Sequence, residues 1–420
     1  MSKVAFSGGA GCGKTHQLMQ RLSEYLVATP LAPHQRILAL TFMHGSRRRL
    51  DERLIGVLGL QRRYECATLD SLAWRIVRRW QALVAHQGKK LPEASDYEAI
   101  CDTAAELLNQ SHVSQWVAAT YPALVLDEAQ DLTPNRLAVI IALCQHMHLL
   151  AAADEFQCLN ETLRPNPAWE WLRAEAEIVE LDQPQRTKIQ ELLNASAALR
   201  GGQALISDRI FKVQLTAQAA LAGTYLANEL AWNGKGQRIA VITPTIGKFA
   251  NDVITWVGNN KTKQGNGPYQ IPWEKAEDKL SEELLAKLEL PDVASSTAII
   301  AALEAIGDIL LKRDITQWLN LQRRTLGRTE FLRHQVVEAI TLSISHRRRQ
   351  GRGDRTRIKA MSIHGAKNRE FDQVIVLWPA AVRGDADQLR RLLYNAVTRA
   401  KAKCLVLVQA QAALNRPPFK

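Results

Sequence analysis

What this chain lacks narrows its class before any motif is read. No apolar stretch approaches the roughly 18 residues that a membrane-crossing helix needs, so a helical membrane protein is excluded. Among six cysteines (Cys12, Cys66, Cys101, Cys144, Cys158 and Cys404) there is no CxxC pair. A zinc ribbon and a dense disulfide framework are thereby excluded, and reduced, packed thiols are expected. There is neither an internal repeat nor a low-complexity tail. Acidic side chains are outnumbered, 42 Asp and Glu against 54 Lys and Arg. The N-terminus runs from Lys3-Val4-Ala5-Phe6 straight into a glycine-rich segment, too little for a charged start, an apolar stretch and a cleavage site. A cytoplasmic protein without membrane contact is the expectation.

What is present is a chain of 420 residues, 46% hydrophobic and 23% charged, which is ordinary for a globular protein. Single cores stop growing near roughly 250 to 300 residues, so two or three domains are expected. The basic excess is clustered, at Arg47-Arg48-Arg49, Arg62-Arg63, Arg78-Arg79, Arg323-Arg324, Arg347-Arg348-Arg349 and residues 352–357, and such a field attracts polyanions. β-rich runs at residues 4–6, 36–41, 64–67, 123–126, 148–152 and 177–181 alternate with helical stretches, the pattern of a parallel sheet covered by helices. A second alternating set, at 239–242, 358–361, 374–378 and 404–408, implies another sheet assembled from distant segments. The fold class is therefore α/β. An Ala/Leu-rich helical insert without strand signals lies at about 81–117, and a helical insertion at about 264–346 interrupts the second region.

The segment Ser7-Gly8-Gly9-Ala10-Gly11-Cys12-Gly13-Lys14-Thr15 follows a β run and opens a helix, the context that a GxxxxGK[ST] match requires. Glycines let successive backbone N–H groups converge on phosphate oxygens at a helix N-terminus, where the dipole also favours an anion. Gly8 to Gly13 are thus expected to cradle ATP. Lys14 brings a point charge to the β and γ phosphates, and Thr15 offers Mg²⁺ a hydroxyl. A neighbouring strand should end in a carboxylate, and Leu124-Val125-Leu126-Asp127-Glu128-Ala129-Gln130-Asp131 does. Asp127 is placed to hold Mg²⁺ and Glu128 to act as general base on the attacking water. Asp131 reads as the N-cap of the helix that follows. Trp74 and Trp80, near the basic Arg75 to Arg79 segment, could stack bases, but a tryptophan on a helix is more often a core residue.

Taken together these residues resemble the UvrD/Rep-like branch of superfamily 1 helicases. Leu38-Ala39-Leu40-Thr41-Phe42 is similar to the family's motif Ia, Ala67-Thr68-Leu69-Asp70-Ser71-Leu72 to its threonine-bearing strand contact, and Asp154-Glu155-Phe156-Gln157 to motif III. Gln185-Arg186 falls where motif IV is expected. Ser362-Ile363-His364-Gly365-Ala366-Lys367 through Glu370-Phe371 resembles motif V, and Tyr394-Asn395-Ala396-Val397-Thr398-Arg399-Ala400 resembles motif VI. The pattern departs at Cys158-Leu159-Asn160-Glu161, where the family carries an aromatic and a Trp-Arg-Gly run and where Trp169 or Trp171 could substitute. It departs again at Asn368-Arg369, which replace a glycine and an apolar residue.

The resemblance implies two RecA-like P-loop domains, residues 1–182 and 183–420, closing over ATP and Mg²⁺. It implies that Arg186 and Arg399 reach the γ phosphate, that Gln130 and Gln157 sense it, and that Glu370 contacts the nucleotide. Thr41, Phe42, His44, Thr68 and His364 match strand-contacting positions. The expected function is ATP-driven, 3′ to 5′ movement on single-stranded or tailed duplex DNA. The alternative is a helicase-like ATPase that regulates or senses for a nuclease in antiphage defence or repair, with little unwinding of its own.

Overall fold

The structure is a computed structural model that describes residues 1–41, 44–93, 96–232, 236–274, 284–349 and 357–420; for residues 44–46, 48, 326, 334, 338, 342 and 345–349 the description is of the backbone alone. The chain forms two compact units, one of Met1–Ile271 with Ser362–Lys420 and the other of Pro272–Met361. Among the described residues no helix is long and apolar enough to cross a membrane.

The first unit holds the first sheet and four strands of the second. In chain order the strands of the first sheet are β1 (Lys3–Gly8), β2 (Ile37–Thr41), β3 (Tyr64–Thr68), β4 (Ala123–Leu126), β5 (His148–Ala153) and β6 (Glu177–Leu181). They lie in the order β3-β2-β4-β5-β1-β6, with every pairing parallel. Parallel neighbours require crossover connections, which here are helices. Successive side chains of a strand point to opposite faces: Ala5, Leu38, Leu40, Leu124 and Leu126 pack into one core, while Val4, Phe6, Ile37, Ala39 and Val125 pack into another. Both faces are covered, so these strands read as continuous apolar runs rather than alternating ones.

Of the second sheet the first unit holds β7 (Phe211–Leu215), β8 (Ile239–Thr243), β12 (Phe371–Trp378) and β13 (Ala400–Val408), in the order β8-β12-β13-β7, and β11 (Ile358–Ser362) lies where the second unit ends. β8, β12, β13 and β7 pair in parallel. The α/β class with two RecA-like parallel-sheet cores is therefore observed. β7 is the strand of this sheet that sequence reasoning missed, because Phe-Lys-Val-Gln-Leu is short, half polar and at the sheet's edge.

The second unit contains the helices Ser296–Ile306, Ile309–Leu326 and Arg333–Arg349 and a short antiparallel pair, β9 (Val293–Ser295) with β10 (Glu330–Leu332). Its turns follow local chemistry. Ser295 and Asp308 cap helix N-termini by accepting from Ala298 N and Leu311 N, and Gly307 and Gly327 end helices in the left-handed conformation, which glycine adopts without a Cβ penalty. Ile299, Leu303, Leu311, Ile315, Phe331, Val336 and Ile340 form its core.

Candidate nucleotide site

The phosphate loop joins β1 to the helix Lys14–Ala28 at the C-terminal edge of the first sheet. Two of its glycines are required by geometry. Gly11 and Gly13 have φ of 82° and 81°, and a Cβ on Gly11 would stand 2.6 Å from Arg186 Cβ. Gly13 is the N-cap residue and no side chain caps the helix, so its first N–H groups are left for an anion. Lys14 Nζ donates to the Gly8 and Gly9 carbonyls, each at 2.9 Å, and stands 3.8 Å from Asp154 Oδ2. Thr15 follows in the first turn of the helix.

β4 and β5, neighbours in the sheet, carry the acidic residues to the same edge. Asp127 follows β4 directly, and its pKa is raised, first by burial and then by Glu128, against the lowering effect of Lys14. Glu128 has φ 61°, unusual for a residue with a side chain, and its carboxylate accepts from Gln130 Nε2 at 2.5 Å. Such backbone strain clusters at functional sites. Gln130 is fully buried, and its Oε1 accepts the Asp154 N–H at 3.0 Å. Asp131 is not the helix N-cap that its position suggested: Thr133 occupies that place, and Asp131 instead binds Lys367 Nζ at 2.6 Å. A buried carboxylate needs a cation more than a helix end needs a cap.

The second sheet's side of the first unit supplies the arginines. Arg399, between the helix Ala386–Val397 and β13, is 1% exposed. Its Nε donates to the Asn395 carbonyl at 2.9 Å and its Nη2 to Gln157 Oε1 at 2.9 Å. Burial, reinforced by Arg186, lowers its pKa to about 10, so it stays a cation. Gln157 Nε2 in turn donates to Asp154 Oδ2 at 2.8 Å. Arg186 donates from Nε to Glu370 at 3.0 Å and from Nη1 to the Thr398 carbonyl at 2.8 Å. Glu370 also meets Lys401 at 3.0 Å and Arg49 at 3.7 Å. Burial alone would raise its pKa, but Arg186 and these cations outweigh that and hold it at about 2. A cavity of ≈ 590 Å³ borders Gly8, Gly9, Ala10 and Cys12 on one side and Arg186, Arg200, Tyr394 and Thr398 on the other.

The structure thus brings Lys14, Asp127, Glu128, Gln130, Gln157, Arg186, Glu370 and Arg399 to one cleft. The expected strand contacts are more dispersed. Thr41 ends β2, and its buried Oγ1 has no hydrogen-bond partner among the described residues. Thr68 is the N-cap of the helix Leu69–Arg79, accepting from Ser71 N at 3.3 Å, and His364 is exposed on the turn after β11. Phe42 and the side chain of His44 lie outside the described residues. Trp169 and Trp171, the candidates to replace the missing aromatic of motif III, pack against the first sheet's core, as Trp74 and Trp80 do. Asn368 has φ 60°, which explains how it stands where the family has glycine: asparagine tolerates the left-handed region better than most residues.

Sequence reasoning missed Arg49, Arg200, Tyr394 and Lys367 as parts of this cleft. Arg49 was hidden in a run of three arginines, and Arg200 stands as a lone basic residue at a helix end, a pattern that carries no signal. Tyr394 and Lys367 lay inside recognised motifs without a role.

Two family models match parts of the chain. Residues 2–162 match a family model described as an AAA domain, and residues 358–407 match the UvrD-like helicase C-terminal domain. The crystal structure of Arterivirus nonstructural protein 10 (helicase) is 11% identical, with a TM-score of 0.41, the alignment covering 99% of this chain and 61% of that one. No curated protein matches. The chain thus carries an AAA-domain match over the segment with the phosphate loop and a UvrD-like helicase C-terminal match over the segment with Arg399.

Proposed function

We propose that this chain hydrolyses ATP with Mg²⁺ in the cleft between its two sheets and uses the cycle to move along single-stranded DNA in the 3′ to 5′ direction. The observation that carries the reading is the hydrogen bond of buried Arg399 to Gln157, which ties a cation of the second sheet's side to the wall that bears the phosphate loop. The residues fit the nucleotide and the ion. The loop offers an uncapped helix N-terminus and a lysine that rests on the Gly8 and Gly9 carbonyls with the Asp154 carboxylate 3.8 Å away. Asp127 and Glu128 repel one another in a way that a divalent cation would relieve.

In this reading Thr15 and Asp127 would hold Mg²⁺, which would neutralise charge on the phosphates. Glu128 accepts a proton from the attacking water as its oxygen bonds to the γ phosphorus. The bond from phosphorus to the oxygen of ADP breaks, and Lys14 and Arg399 stabilise the charge that gathers on the transferring group and the leaving oxygen. Arg186 joins them by exchanging Glu370 for phosphate. Gln130 and Gln157 pass the presence of the γ phosphate to Asp154 and Arg399. Closing and opening of the cleft then shifts two grips on the strand, for which Thr41, Phe42, His44, Thr68 and His364 are the contacts proposed.

ATP turnover measured with and without single-stranded DNA at low salt tests the coupling, and strand displacement on a 3′-tailed duplex tests the direction. Stimulation by DNA and displacement from the 3′ tail are expected. Turnover indifferent to DNA would remove the translocation reading, and stimulated turnover without displacement would favour an ATPase that serves another protein.

A further inference from the structure

Arg200 has no part in the scheme above, yet it touches the phosphate loop. It lies in the last turn of the helix Gln190–Gly201, and its guanidinium reaches across the cleft. Nη1 stands 3.1 Å from Asp154 Oδ1, 3.4 Å from the Tyr394 hydroxyl, and 3.4 Å from where a Cβ on Gly9 would lie. The guanidinium carbon sits 5.8 Å from the centre of the Phe156 ring. Asp154 is fully buried. Its Oδ2 accepts from Gln157 at 2.8 Å, has the Tyr394 hydroxyl at 3.4 Å, and has Lys14 Nζ at 3.8 Å. The same hydroxyl accepts the Ala10 N–H of the loop at 2.8 Å. One buried carboxylate is therefore shared by two cations, the loop lysine and Arg200.

A carboxylate with no access to water needs a cation or it becomes costly. Phosphate binding draws Lys14 away from Asp154, because a lysine is a point charge that moves to the stronger anion. Whether that move is cheap depends on what remains beside Asp154. Arg200 remains, planar and permanently charged, and held in place by Tyr394 and Phe156.

We propose that Arg200 is a positioning residue of the nucleotide site: it neutralises Asp154 and so frees Lys14 for the phosphates of ATP. The inference rests on the ATP reading given above. Without Arg200, Lys14 would be held on Asp154, and nucleotide binding would have to strand a buried charge.

The test uses the full chain with Mg²⁺, titrated with ADP and with the imido analogue of ATP, alongside steady-state turnover. Arg200→Gln should weaken nucleotide binding by roughly tenfold or more, the scale set by an uncompensated buried charge, with KM rising further than kcat falls. Arg200→Lys should keep binding within about threefold of the unaltered chain, and combining Arg200→Gln with Asp154→Asn should restore it to about that level, because the coupling of neighbours shows in a double-mutant cycle. Unchanged affinity in Arg200→Gln would overturn the role. So would a double variant as weak as Arg200→Gln alone, since the loss would then not come from the charge on Asp154. An unaltered chain that binds neither nucleotide would overturn the ATP reading and this inference with it, an outcome distinct from the other two.

Discussion

The two arginines proposed to act on phosphate are held in different ways. Arg399 is 1% exposed and reaches across to Gln157 on the opposite wall. Arg186 is partly open to solvent and bound to Glu370 and to the Thr398 carbonyl, both on its own wall. The first is fixed by burial and must keep its geometry or leave buried partners unsatisfied. The second is held by a carboxylate that can be exchanged for another anion. The cleft thus has one cation fixed by burial and one held by a carboxylate open to solvent, so the two should fail differently.

The largest expected effect is on turnover. Arg399→Ala should lower kcat by about 10³ to 10⁵, the value of an arginine placed on developing phosphoryl charge, and Arg186→Ala should lower it less. Equal losses, measured by phosphate release at saturating ATP, would erase the distinction. Next is the loop beneath Arg186. Gly11→Ala adds a Cβ 2.6 Å from Arg186 Cβ at a φ of 82°, and should cost roughly 1 to 3 kcal/mol, read as a lowered Tm. A variant that melts normally would mean that Arg186 and its segment move freely off the loop.

Smaller effects test the supports. Thr68→Ala removes the N-cap of the helix Leu69–Arg79 and should cost about 1 kcal/mol. That loss would show the hydroxyl acting in stability apart from any strand contact. The last test concerns the partner of Arg186 and is read along pH. The pKa of Glu370 falls from 4.5 to about 2 in the folded chain, so its contribution to stability is fully present above about pH 4.5 and is lost as the pH falls toward 2. Glu370→Gln should flatten the acid limb of the stability curve in that window. A limb of unchanged slope would mean that Glu370 is not held by Arg186 in solution.

How much of this was legible follows the same division. The phosphate-loop wall could be read because its parts are consecutive: a strand, a glycine loop and a helix in one stretch, then a strand ending in Asp127 and Glu128. The arginine wall could not be read from spacing. Arg186 and Arg399 are separated by most of the second sheet and the whole second unit, and only the resemblance to a family singled them out. Arg200 and Arg49 stayed invisible, since a lone arginine on a helix and one member of a charged run look like solvated surface until the fold sets them beside Asp154 and Glu370. Asp131 was misread for a related reason. Its distance from Lys367 is a property of the fold, whereas its distance from the next helix is visible in the chain.

In the proposed cycle each wall does a separate job, Lys14 in binding and Arg399 in the chemical step. Nucleotide affinity and turnover, measured side by side in Lys14→Ala and Arg399→Ala, test it most directly. Lys14→Ala should lose both, while Arg399→Ala should still bind the nucleotide without turning it over. Turnover by Arg399→Ala at the rate of the unaltered chain would contradict it.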